Sequence, residues 1–181
     1  SQIGYMSITN NQNLDNIKLQ GTSTNVTIQG NTFYGDVYNN VSGVLLGISA
    51  TTTALTVTEN YFESRLTSIA GGSNLKLVDI FGSSVTFTTN TVRYIEQAPA
   101  AIVGSVYFQT TGANPSFTIR GNKIEGPNRD DADPAVAMSM FPASNMNQTV
   151  TVTIANNTFR NRMGTGAPIV MQDTGYSASI S

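Results

Sequence analysis

Cysteine, histidine and tryptophan are all missing from this 181-residue chain. Without Cys or His there is no zinc site built on those ligands, no thiol nucleophile and no His-ligated haem. The Ser-His-Asp and Cys-His arrangements fall with them. Disulfides are excluded as well, although that does not fix the compartment. Charge is scarce: Asp, Glu, Lys and Arg make up 11% of the residues, against about a quarter in ordinary soluble domains. With 9 Lys+Arg and 11 Asp+Glu the formal net charge is −2. No basic run is dense enough to neutralise a row of phosphates, which argues against a nucleic-acid partner. Nor is there an apolar run of the ~18 residues that a membrane-spanning helix needs. The chain opens SQIGYMSITNN, with neither an initiator Met nor a charged-then-apolar signal pattern, and reads as a mature, processed or excised piece.

Uncharged polar residues fill the space that charge leaves, with Thr, Asn and Ser together supplying about a third of the chain. They are arranged periodically. The octet Val26-Thr27-Ile28-Gln29-Gly30-Asn31-Thr32-Phe33 recurs as Leu55 to Phe62, Val85 to Val92, Phe117 to Ile124 and Val152 to Phe159. Met6-Ser7-Ile8-Thr9-Asn10-Asn11 is a degenerate first copy. Successive Asn residues at 11, 31, 60, 90, 122 and 157 lie 20, 29, 30, 32 and 35 residues apart, a solenoid period with insertions. Apolar residues alternate with Thr inside each copy, the two-residue period of a strand with one buried face. A second apolar run follows each Asn, at 44–48, 75–80, 102–108, 136–140 and 169–171. Each repeat therefore supplies at least two strands. Strands that recur once per repeat and pair with their own counterparts predict an all-β fold: a single-stranded parallel β-helix of about six coils, forming one domain over residues 1–181.

Asn is expected at a sharp turn, where it tolerates left-handed backbone better than other non-Gly residues. Stacked at about 4.8 Å, the amides of Asn31, Asn60, Asn90, Asn122 and Asn157 can form an internal hydrogen-bonded ladder. This pattern of strand, Asn turn and apolar anchor resembles the right-handed parallel β-helices of the pectin-lyase-like superfamily over residues 5–175. The resemblance implies the fold. It does not select among the polysaccharide lyases and hydrolases, phage tailspikes, adhesins and inert stalks that the superfamily includes. The Gly-His-Gly signature of its polygalacturonase-type members is missing, there being no His.

Outward positions supply the candidate functional residues. Thr27, Thr56, Thr86, Thr118 and Thr153 make a hydroxyl column, with Ser7 at the matching place in the first copy. Two such columns would suit ice or a crystalline polysaccharide, but the companion column reads Thr9, Gln29, Thr58, Thr88, Arg120 and Ala155. A β-branched residue suited to an exposed strand explains the Thr column more simply. Three residues past each Asn come Tyr34, Glu63, Arg93, Glu125 and Arg160, expected to form surface ion pairs between coils. Glu63 and Glu125 are candidate acid and base, two coils or about 10 Å apart, slightly beyond the inverting range of roughly 6.5–9.5 Å. Asp130, Asp131 and Asp133 form the one concentrated acidic stretch, a solvated turn by its composition. It is also a candidate Ca²⁺ site or catalytic loop; no other metal or cofactor is implied. Tyr34, Tyr61 and Tyr94 are candidate stacking platforms, with Tyr61 and Tyr94 placed outward at the turns. Sequons fall at Asn25, Asn40, Asn147 and Asn156, as an Asn- and Thr-rich repeat produces by composition.

The expected function is structural or adhesive: an extracellular β-helical segment of a cell- or virion-surface fibre, stalk or adhesin. Without an amphipathic capping helix, it is expected to be part of a longer β-helix or to self-associate through its coil ends. The alternative is a carbohydrate-active domain, lyase, glycosidase or tailspike-like depolymerase, or a carbohydrate-binding module, with a glycan as partner.

Overall fold

The computed structural model describes residues 2–12, 14–35, 44–65, 76–94, 105–110, 114–125, 136–140, 150–160, 169–173 and 178–180. Its described residues contain strands and no helix, and every strand pairing among them is parallel. No helix of the described residues is therefore long and apolar enough to cross a membrane.

The strands fall into three ladders. The first runs through β1 (Gln2–Thr9), β3 (Thr22–Gln29), the second half of β5 (Leu46–Thr58), β8 (Ser84–Thr88), β11 (Ser116–Arg120), β14 (Val150–Ala155) and β17 (Ala178–Ile180). The second joins β4 (Thr32–Gly35), β6 (Tyr61–Ser64), β9 (Thr91–Tyr94), β12 (Lys123–Glu125) and β15 (Thr158–Arg160). The third joins β2 (Ile17–Leu19), the first half of β5, β7 (Val78–Gly82), β10 (Val106–Thr110), β13 (Val136–Met140) and β16 (Ile169–Asp173). The 13-residue β5 ties the first and third ladders into one sheet, and the register shifts between Ile48 and Thr52 where it passes from one to the other. This arrangement is consistent with a parallel β-solenoid.

Register follows the repeat. Val26, Leu55, Val85, Phe117 and Val152 are Cα partners in succession, as are Ile28, Val57, Phe87, Ile119 and Ile154. A one-residue slip would turn this whole apolar set outward, so burial of one face holds the register. Phe33, Phe62, Val92 and Ile124 line the second ladder, and Leu46, Ile48, Val78, Ile80, Val106 and Phe108 line the third; none is more than 2% exposed. Aromatic rings meet within and across ladders: Phe33 and Phe62 stack along the second ladder at 4.6 Å between ring centroids, and Phe108 of the third meets Phe87 and Phe117 of the first edge-on at 5.5 and 5.8 Å.

Two expectations are corrected here. At the repeated turns the left-handed residues are not the recurring Asn but those just before them: Asn10, Gly30, Glu59, Thr89, Gly121 and Asn156, with φ between 55° and 67°. Asn at the next position is thus selected by its amide and not by its backbone tolerance. Strands of the third ladder also begin two to four residues later than expected in three repeats, at Leu46, Val78 and Val106. The leading apolar residues Leu45 and Leu77 are buried in the bend that precedes the strand.

Candidate functional site

The side-chain amides of Asn31, Asn60, Asn90 and Asn122 are fully occupied. Asn31 Nδ2 donates to Asn60 Oδ1 at 3.0 Å, Asn60 to Asn90 at 3.0 Å, Asn90 to Asn122 at 3.2 Å and Asn122 to Asn157 at 2.9 Å. The second amide hydrogen reaches a strand carbonyl of the preceding repeat, Ile28 O from Asn60, Val57 O from Asn90 and Phe87 O from Asn122. Each Oδ1 also accepts the backbone N–H of the Asn before it, at 2.8–3.0 Å. Two donors and two acceptances use all that an amide offers. Asn31, Asn60, Asn90 and Asn122 are 1–2% exposed, leaving no access for a ligand.

The hydroxyl column Thr27, Thr56, Thr86, Thr118 and Thr153 lies in register along the first ladder, half-buried. Beside it, Thr88 Oγ1 donates to Thr58 Oγ1 at 3.0 Å.

On the second ladder, Tyr34, Glu63, Arg93, Glu125 and Arg160 occupy corresponding strand positions; the register pairs Tyr34 with Glu63, Glu63 with Arg93, and Glu125 with Arg160. The expected surface ion pairs between coils are corrected in two respects: both carboxylates are buried, Glu63 to 5% exposure and Glu125 to 3%, and Glu63 pairs with Arg65 of its own repeat. Glu63 accepts from Tyr61 Oη at 2.5 Å and from Arg65 Nε at 2.6 Å. The Arg65 guanidinium lies over the Tyr34 ring at 5.1 Å, while Arg93 Nε stands 3.9 Å from Glu125 Oε2. Burial holds the Tyr61 hydroxyl above its ordinary pKa, assisted by Glu63 and opposed by Arg93. Tyr34 and Tyr61 meet edge-on at 6.2 Å, half-buried at the surface. Tyr94 is not an outward platform. It lies an even number of residues past Asn90, points inward with Val92, and is 1% exposed.

Asp130, Asp131 and Asp133 lie outside the described residues, as do the sequons at Asn40 and Asn147. Among the described residues there is no group of three acidic ligands able to hold a metal.

The third ladder carries a feature that the sequence reading missed. Lys18, Gly47, Asp79 and Tyr107 are successive Cα partners, each flanked by two inward apolar residues. Gly47 leaves a gap in this outward column, and a cleft of about 400 Å³ opens there. Lys18, Gln20, Val44, Asp79, Phe81 and Gln109 border it. Asp79 is fixed, one oxygen accepting from Lys76 Nζ at 3.1 Å and the other from Gln109 Nε2 at 3.0 Å. Lys76 in turn sits 4.0 Å from the centroid of the Tyr107 ring. Lys18 is exposed and pairs with no carboxylate among the described residues. The available signal was the aligned triplets Ile17-Lys18-Leu19, Leu46-Gly47-Ile48 and Val78-Asp79-Ile80, in which Gly stands between a cation and an anion.

Comparison with protein-family models, with curated proteins and with solved structures finds no significant match for this chain.

Proposed function

We propose that this chain is a glycan-binding segment of an extracellular structural or adhesive protein, a surface fibre, stalk or adhesin, with the cleft over Gly47 as its recognition site. The observation that carries the reading is that cleft: a concave, partly apolar site with a few convergent polar groups, within the ~300–1,000 Å³ usual for small ligands. Its one carboxylate is held in place by Lys76 and Gln109, an arrangement suited to fixed hydrogen bonding rather than to passing a proton back and forth. Glu63 and Glu125 are buried among Tyr61, Arg65 and Arg93, which favours a role in holding strands together over one as acid and base. For the scaffold we propose a right-handed β-helix of about six coils with an internal Asn ladder. The side-chain amide bonds support the ladder, and the strong preference of parallel connections supports the hand. Self-association through the coil ends belongs to the same proposal and would give a fibre its length.

Retention on an immobilised polysaccharide panel tests the reading, with product chain length followed in parallel. Retention on at least one glycan without shortening is the expected result. Steady release of shortened chains would replace it with the carbohydrate-active alternative.

A further inference from the structure

We infer that the cleft over Gly47 holds one ring of an anionic saccharide, with the acidic group on Lys18. This rests on the glycan-binding reading and adds the ligand's charge, its position and the residue that admits it.

Position follows from the gap. Lys18 and Asp79 lie one strand away from Gly47 on either side, so their backbones are about 10 Å apart at the usual strand spacing. That span takes one sugar ring with a substituent towards each side. A Cβ at position 47 would meet Val44 Cγ1 at 3.3 Å and Lys18 Cγ at 3.7 Å, and the backbone there is not left-handed. A Cβ is thus crowded but not excluded, needing Val44 to give by a few tenths of an ångström, and a larger residue would take up room in the seat.

Charge follows from the pairing. Asp79 is compensated by Lys76 at 3.1 Å, whereas Lys18 has no compensating carboxylate among the described residues. Among the described residues the cleft thus has a local excess of one positive charge, which favours an anion. A simple anion would leave the rest of the site unused. The Asp79 carboxylate, which keeps lone pairs beyond its two bonds, can accept from hydroxyls, and the Gln20 and Gln109 amides supply further polar partners. Phe81 and Val44 offer an apolar surface to the C–H face of a ring. Anionic group, hydroxyls and an apolar face together describe a sugar acid or a sulfated sugar.

Isothermal titration with alginate, carrageenan and dextran oligomers of equal length tests this, the first bearing carboxylates, the second sulfates and the third neither. The wild-type protein is compared with Lys18→Gln, Gly47→Val and Gln109→Ala, each checked by far-UV circular dichroism and thermal melting. Binding of alginate or carrageenan oligomers is expected to weaken at least ten-fold in Lys18→Gln and to fall as salt rises. It is expected to vanish in a folded Gly47→Val, and whichever oligomer binds identifies the acidic group. If Gly47→Val does not fold, a several-fold loss in Gln109→Ala reports on the same seat. Dextran bound as tightly by Lys18→Gln as by wild type would overturn the anionic ligand and leave the glycan reading standing. Binding unchanged in Lys18→Gln and Gln109→Ala would overturn the location. Failure of all three oligomers to bind would overturn this inference, and failure of the immobilised panel as well would overturn the glycan reading.

Discussion

Replacing Asn90 by Ala removes four side-chain hydrogen bonds at once. Asn90 Oδ1 accepts from the backbone N–H and from Nδ2 of Asn60, at 2.9 and 3.0 Å, while its own Nδ2 reaches Val57 O at 2.9 Å and Asn122 Oδ1 at 3.2 Å. The site is 1% exposed, so water cannot readily take over the abandoned Asn60 N–H. At a net value of roughly 1 kcal/mol per bond, with the buried donor left unpaired, the loss is about 4 kcal/mol. At a urea slope of ~2 kcal/mol/M the unfolding midpoint would fall by roughly 2 M. Asn157 provides the contrast. It makes three comparable bonds, but it is half-buried and water can substitute, so Asn157→Ala should cost only about 1 kcal/mol. Urea unfolding followed by circular dichroism compares the two, and equal losses would refute the claim that buried amide satisfaction holds the turns. Asn90→Asp adds a test of sign. It keeps the acceptor but turns the two donated bonds into repulsion from Val57 O and Asn122 Oδ1, so the folded state favours the protonated acid. Its penalty should therefore shrink as pH falls through the carboxylate range; a penalty independent of pH would contradict this.

Two further predictions concern the turn and the tyrosine beside it. Thr89 is β-branched at φ 55°, a conformation costing about 1–2 kcal/mol for such a residue. After the entropic cost of glycine, about 0.5–1 kcal/mol, Thr89→Gly should stabilise the fold by roughly half to one kcal/mol, read as a raised melting temperature; a lower one would show that the Thr side chain contributes there. Tyr61 should titrate above the ordinary tyrosine range, because burial and then Glu63 favour its neutral form. A folded pKa raised in this way means stability that is complete below the unfolded pKa and lost as pH rises through the folded one, so the fold should weaken in alkali. Ultraviolet difference titration of wild type and Glu63→Gln, the latter titrating lower, checks the cause.

Much of the fold was legible because one physical rule repeats. Val26 and Ile28, Leu55 and Val57, and Val85 and Phe87 keep a two-residue period, and like strands stacked in register bury all of them on one side. The amide contacts were legible for a related reason, since an Asn at every turn has no other partner of its own kind within reach. Backbone geometry was not, because glycine at residues 30 and 121 is replaced by Glu59 and Thr89 in sister repeats, which conceals a shared left-handed position. Tyr94 was misplaced by a parity error of one residue. Burial of Glu63 and Glu125 could not be read from their columns, because a strand pattern gives facing but not what covers a face. The cleft was hidden because Lys18, Gly47, Asp79 and Gln109 belong to four different repeats, and only the register brings them together.

Amide chemical-shift mapping during titration with an oligosaccharide that the protein retains tests the glycan-binding account most directly. The account predicts that the largest shifts fall on Lys18, Gly47, Asp79 and Gln109, with the Tyr61–Arg65 segment undisturbed. Shifts centred on Tyr61, Glu63 and Arg65, with Gly47 unmoved, would contradict it.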